Sequence, residues 1–202
     1  MQLFNGDCLE VLRTLPDGCV DLVVTDPPYI IGNTGAGHFG NRNYYAETAP
    51  ISEGFNLEVL DECLRVLKNT NIYIWSSRAQ LPIYFDYFVK GKHVNFDVLT
   101  WHKTNPTPAC NNGYLADTEY LLFFRSAGVP LYGTMETKKK FYVTPTNKAD
   151  KERYGHPTIK PAEIVKNLVI NSSIRGGAYL IRSGEAEQRA QSARNLRGTL
   201  SA

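Results

Sequence analysis

The chain has 202 residues, 43% of them hydrophobic, with 22 Lys and Arg against 20 Asp and Glu. That length and apolar content support a single buried core, and a net charge of +2 is too small to mark a nucleic-acid partner, so any such footprint has to be a local patch. No apolar run is long enough to span a bilayer and no signal segment opens the chain, so a cytoplasmic protein is expected.

Residues 20–25 form an apolar run that reads as a buried strand, and it leads straight into Asp26-Pro27-Pro28-Tyr29. A Gly- and Asn-rich stretch follows, in which Gly35-Ala36-Gly37-His38-Phe39-Gly40 matches G-x-G-x-x-G. No strand immediately precedes it and no apolar helix follows, so it is not a phosphate loop. A lid beside a site and a plain irregular loop both remain open for it. Residues 56–67 carry Leu57, Leu60, Leu64 and Leu67 at helical spacing, 71–75 reads as a strand and 81–89 as a helix. Residues 96–101 and 119–124 read as two more strands, and 161–171 as a helix opened by Pro161, with Ile164, Val165, Leu168 and Val169 on one face. The alternation predicts an α/β fold. Cys8, Cys19, Cys63 and Cys110 make no Cys-x-x-Cys pair, and His38, His93, His102 and His156 have no metal-ligand spacing. Free thiols and no metal are therefore expected.

The tetrapeptide is the chemically pointed feature. A strand ending in an acid, two imino acids and a ring sets a stiff polar site at the strand's carboxyl edge, where open α/β sheets bind ligands. The prolines lack N–H groups and fix φ, so the Asp26 and Pro27 carbonyls stay available as acceptors. A carboxylate and a carbonyl together can take both N–H bonds of an exocyclic aromatic amine and draw its lone pair out of conjugation, which makes a poor nucleophile usable. Tyr29 offers a face for an extruded base. A plain Pro-Pro turn would show the same four residues.

Two further segments can carry function. Lys138-Lys139-Lys140 stands beside Phe141 and Tyr142, and Lys148, Lys151 and Arg153 stand beside Tyr154. This mixture of charge and rings suits nucleic acid, within a reading segment of about 102–155. Asp117, Glu119, Glu136, Asp150 and Glu152 dilute it, and a solvated charged face is the alternative. His156-Pro157-Thr158-Ile159-Lys160-Pro161 leads into the last helix, whose N-terminus and neighbouring Lys can hold a carboxylate.

With Asn5-Gly6-Asp7-Cys8, Asp26-Pro27-Pro28-Tyr29 and His156-Pro157-Thr158-Ile159-Lys160-Pro161 in this order, the chain resembles the amino-methyltransferases that modify adenine N6 or cytosine N4 in DNA with S-adenosylmethionine. The order looks like their permuted β-type arrangement, over residues 1–180. The resemblance implies a Rossmann-like sheet, mostly parallel with one antiparallel strand placed at an edge. It gives Asp26, Pro27, Pro28 and Tyr29 the catalytic role and Asp7, Cys8, His156, Pro157, Thr158 and Lys160 the cofactor. Lys138, Lys139, Lys140, Tyr142, Lys148 and Arg153 are expected on DNA. An Asp heading the tetrapeptide is commoner for adenine. Ile159 departs from the family's usual Gln.

The C-terminus departs further. Family members continue with Asp-Pro-Phe-x-Gly-Ser-Gly-Thr-Thr, which wraps the methionine end of the cofactor, whereas Leu180 is followed here by Ile181-Arg182-Ser183-Gly184-Glu185-Ala186-Glu187-Gln188-Arg189. Read one base earlier, from a G closing the Leu180 codon, these residues permit GAU, CCG, UUC, NGG, GGA, AGC, GGA, ACA and ACG. Those codons spell the missing motif. The expectation is a one-base loss after Leu180, with 181–202 out of frame, the C-terminal cofactor-binding strands missing, and the 20–25 strand left with an open edge. A terminal helix in the Ala-, Glu- and Arg-rich tail is the other reading.

Overall fold

The computed structural model describes residues 4, 6–29, 56–108, 112–146 and 159–182. Gly35 to Gly40, Cys110, Lys148, Lys151, Arg153, Tyr154, His156, Pro157, Thr158 and the tail from Ser183 lie outside the described residues.

In chain order the elements are α1 (Cys8–Arg13), β1 (Leu22–Thr25), α2 (Leu57–Val66), β2 (Asn71–Ser76) and a 3-10 turn (Arg78–Gln80) that runs into α3 (Leu81–Tyr84) and a π-helical stretch (Phe85–Gly91). Then come β3 (Asn95–Lys103), β4 (Thr118–Arg125), β5 (Phe141–Thr144), α4 (Ala162–Ser172) and β6 (Tyr179–Arg182). Local chemistry sets the helix starts. The Asp7 carboxylate accepts from the Leu9 and Glu10 amides at the head of α1, and Asn56 accepts from the Glu58 amide at the head of α2. In α2 the buried stripe is Val59, Leu60, Cys63 and Val66, with Leu57 exposed, so the face that packs is displaced from the leucine stripe expected from spacing alone.

The sheet has six strands in the order β5-β3-β4-β2-β1-β6. β1 pairs in parallel with both β2 and β6, β3 pairs in parallel with β5, and β4 runs antiparallel to β2 and β3. The mostly parallel Rossmann-like sheet with one antiparallel strand is therefore present. Two expectations are corrected. The antiparallel strand is interior, because Leu121, Leu122, Phe123 and Phe124 are all buried and need both flanking strands and both faces covered. The open edge expected beside β1 is closed, because Tyr179 to Arg182 form a strand that pairs in parallel with Leu22 to Thr25.

The strands inside the sheet alternate between two cores. Val23, Ile72, Ile74, Leu122 and Phe124 face a cluster completed by Leu12, Leu60, Cys63, Val66, Tyr84 and Phe88 from the helices on that side. Leu22, Val24, Tyr73, Trp75, Leu121 and Phe123 face Ile164, Leu168 and Val169 of α4 on the other. Ring stacking reinforces both layers, with Phe88 on Phe124 at 4.2 Å and Tyr73 on Phe123 at 4.1 Å. Cys8, Cys19 and Cys63 are free thiols.

At the amino edge the buried Asn71 carboxamide donates to the Asp21 carbonyl at 2.7 Å and the Ser172 carbonyl at 2.8 Å, joining β2 to the entry of β1 and the end of α4. Leaving a buried acceptor unsatisfied costs about 1–3 kcal/mol. Asn71→Ala is therefore expected to lose about 2–4 kcal/mol of unfolding free energy in urea titrations, against less than about 1 kcal/mol for removal of the exposed Lys90–Asp86 pair. Equal effects of the two changes would contradict this account of the joint.

Candidate amino-group site

Asp26-Pro27-Pro28-Tyr29 leaves the carboxyl end of β1 as non-regular chain, as two prolines require. Pro27 is buried, and Asp26, Pro28 and Tyr29 are half-buried. The Gln80 amide nitrogen donates to the Pro28 carbonyl at 2.9 Å. Gln80 is itself fixed, its amide oxygen accepting from the Ser77 amide and hydroxyl. Of the two proline carbonyls, it is Pro27's that no donor among the described residues takes, which suits it as the second acceptor beside Asp26.

Tyr29 is fixed at its hydroxyl end. Lys160, just before α4, donates to that hydroxyl at 2.9 Å, and the hydroxyl donates to Glu119 Oε2 at 3.2 Å. The Lys160 nitrogen is 4.8 Å from the Tyr29 ring centroid, farther than from the hydroxyl, so it caps the phenol's polar end. The same ammonium lies 2.7 Å from Glu119 Oε2 and 3.4 Å from Asp26 Oδ1, while Lys103 reaches Glu119 Oε1 at 2.6 Å. Trp75 and Trp101 wall this cluster, with Lys160 and Lys103 nitrogens 5.0 and 5.3 Å from their ring centroids.

β4's direction explains the convergence. Because it runs antiparallel, its first residues, Thr118 and Glu119, stand at the edge where β3 ends in Lys103 and β1 gives way to the tetrapeptide. Burial works against an ionised Glu119, but the ammonium groups of Lys160 and Lys103 overcome it and hold its carboxyl at about 2. Burial likewise opposes a charged Lys160, yet Asp26, Tyr29 and Glu119 keep its pKa well above the ordinary lysine value. Burial holds the Tyr29 phenol well above 10.0, so it stays protonated as a donor.

Of the residues singled out in the sequence, the fold joins Lys160 to Asp26 and Tyr29. Asp7 and Cys8 open α1, and Asp7's hydrogen bonds stay within that helix. Lys138, Lys139 and Lys140 lead into β5 at the sheet's end, with Lys139 paired to Glu136 and Lys140 to Asp97. Strand alternation turns Tyr142 toward the core and leaves Phe141 and Val143 exposed, so the ring presented outward is Phe141. Sequence reasoning missed Glu119, Lys103 and Gln80. Glu119 was counted only as an acid diluting a basic segment, and the signal that could have marked it is a lone carboxylate directly before the apolar run Tyr120 to Phe124.

The depressed Glu119 pKa has a sign. A carboxylate whose folded pKa lies below its ordinary 4.5 contributes stability that is complete above 4.5 and is lost as pH falls toward 2. Unfolding free energy measured from pH 5 down to 2 is expected to decline, and Glu119→Gln to flatten that decline. An identical acid slope in the variant would place the titrating group elsewhere.

A family model described as DNA methylase, N6_N4_Mtase, matches residues 20–180. The type II methyltransferase M2.MboI of Moraxella bovis is 24% identical over 200 residues, covering 85% of this chain and 70% of that protein. Two other curated relatives are matched over only 32% and 62% of their own length. Among solved structures, the M1.HpyAVI complex with SAM superposes with a TM-score of 0.57 at 17% identity, over 96% of this chain and 98% of that one. The cytosine-N4-specific PvuII DNA methyltransferase does so with a TM-score of 0.63 at 12% identity, over 99% and 91%. At such identities the superpositions speak for the fold. The match from strand β1 through α4 to Leu180 is the stronger statement: this chain belongs to the N6/N4 DNA methylase family.

Proposed function

We propose that the chain carries the catalytic half of a DNA adenine-N6 methyltransferase that uses S-adenosylmethionine. The observation that carries this reading is the tetrapeptide at the carboxyl end of β1, with Asp26 and the Pro27 carbonyl as paired acceptors and Tyr29 held by Lys160 and Glu119. An adenine extruded from the duplex presents its amino group to that pair, and Tyr29 packs against its ring. Asp26 and Pro27 take the two N–H bonds, turn the nitrogen lone pair outward, and Asp26 stands where the released proton can be accepted. Positioning and electrostatics carry the rate. The Asp at the tetrapeptide's head supports adenine over cytosine.

S-adenosylmethionine, when bound, supplies the methyl group. The residues present fit it in part. The tetrapeptide serves the reacting amine, and Asp7, Cys8 and the segment at His156, Pro157, Thr158 and Lys160 stand at the family's cofactor positions. Past β6, however, the sequence has Ser183-Gly184-Glu185 where a glycine-rich turn is needed. Lys160's ammonium is already engaged by Glu119, Tyr29 and Asp26, so its part in binding a carboxylate is secondary in this reading. For DNA we assign the basic approach to β5, Lys138, Lys139 and Lys140 with Phe141, which Asn171 braces through Thr137. Gly133 in the same loop has no room for a side chain, since a Cβ would lie 2.0 Å from Asn171 Oδ1.

A second reading concerns this polypeptide as it stands: a non-catalytic remnant with at most weak DNA binding. The family match ends at Leu180, the residue after which the codons regain the missing motif, and this coincidence favours a lost base there.

Two experiments test these readings. Restoring one base after Leu180 is expected to yield methylated DNA containing N6-methyladenine by mass spectrometry, while the 202-residue chain yields little. In the restored chain Asp26→Ala should abolish transfer and change DNA affinity less than about threefold, since phosphate contacts dominate affinity. N4-methylcytosine would overturn the substrate, and equal activity without restoration would overturn the lost base. Separately, replacing Lys138, Lys139 and Lys140 by Ala is expected to lower the salt slope of DNA binding by about two to three, near 0.9 per phosphate neutralised. An unchanged slope would leave these lysines to Glu136 and Asp97.

A further inference from the structure

We propose that Glu119 is a positioning residue for Asp26: by engaging both Lys103 and Lys160, it keeps Lys160 from closing onto the Asp26 carboxylate, which the substrate's amino group is to meet. This rests on the reading of Asp26 as an amino-group acceptor. Distances carry the argument. Lys160 stands at hydrogen-bonding distance from Glu119, 2.7 Å, but at 3.4 Å from Asp26, which is ion-pair range beyond a good N–H···O bond. Glu119 divides its oxygens, Oε1 to Lys103 and Oε2 to Lys160 and the Tyr29 hydroxyl.

Charge balance gives the consequence. Two ammonium groups and two carboxylates meet in a site where the Lys160 side chain is only 10% exposed and Glu119 17%. Remove the Glu119 charge and, among the described residues, Lys160 keeps one anionic neighbour, Asp26. A buried cation turns to what remains, since the alternative is an uncompensated charge. The Lys160–Asp26 contact would then shorten, and the acceptor that the reaction needs would be occupied by the protein's own lysine. Tyr29, whose hydroxyl also accepts from Lys160, would be drawn along with that lysine. Lys103 tunes the arrangement, because it shares Glu119 with Lys160 and weakens the pull on it.

The test uses the 202-residue chain labelled with ¹³C at Asp side-chain carboxyls, with the Asp26 resonance identified by Asp26→Asn. Glu119→Gln is expected to lower the Asp26 titration midpoint by about one pH unit or more, a tenfold gain in preference for the charged form. Adding Lys160→Met to that variant should raise the midpoint above the wild-type value. Lys103→Met, which leaves Glu119 wholly to Lys160, should move it upward by roughly half a unit, the opposite direction. A folded Glu119→Gln chain with an unchanged midpoint overturns the proposal. Should Glu119→Gln fail to fold, Lys103→Met decides: a rise supports the proposal, and no change or a fall overturns it. None of these readings needs turnover, so the midpoints judge Glu119 while methylation of DNA judges the function itself.

Discussion

The bridge from Lys103 through Glu119 to Lys160 is the constraint on which the site depends. It collects side chains from the end of β3, the start of β4, the approach to α4 and, through the Tyr29 hydroxyl, the turn after β1. Charges so little exposed are tolerated only when each has a partner of opposite sign and further hydrogen bonds, and this demand forces the four segments into one geometry. Direction in the sheet makes it possible. With β4 parallel to its neighbours, its opening carboxylate would lie at the opposite edge, away from the tetrapeptide.

The apolar layers hold that edge still. β1 alternates its side chains between two cores, one built on α1, α2 and the α3 region and one on α4, so the strand that delivers Asp26 is gripped on both faces. Gln80 fixes the next carbonyl along, and the two tryptophans of β2 and β3 meet edge to face at 6.2 Å beneath the lysines. A binding constellation needs this kind of support to stay within a fraction of an ångström of its working geometry. The Asn71 joint does the same work at the other end of the sheet.

Much of this was legible in the chain. The apolar run of β1, the strands at 96–101 and 119–124 and the helix after Pro161 all declare themselves by period and by their breakers, and Asp26 to Tyr29 announce a site by residue type alone. What escaped was long-range. Nothing near Glu119 in sequence says that it meets Lys160, forty-one residues later, because ion pairing across strands depends on topology, and topology turned on one strand's direction. Tyr142 and Phe141 were read together as a ring pair beside lysines, and only the pleat separates them into an inward and an outward residue. β6 was expected to be lost with the family's glycine-rich turn, yet four residues sufficed to pair it with β1, since parallel pairing needs backbone and apolar flanks rather than the motif that follows.

The central claim is that the turn after β1 receives an extruded base, with Tyr29 against its ring. Photocrosslinking tests this directly: the frame-restored protein is irradiated on duplex DNA carrying 5-iodouracil in place of the methylated base, and the adduct is mapped by mass spectrometry. The account predicts a crosslink at Tyr29 that falls away when unmodified competitor DNA is added in excess. Adducts confined to the β5 approach, with none in the peptide containing Asp26 to Tyr29, would contradict it.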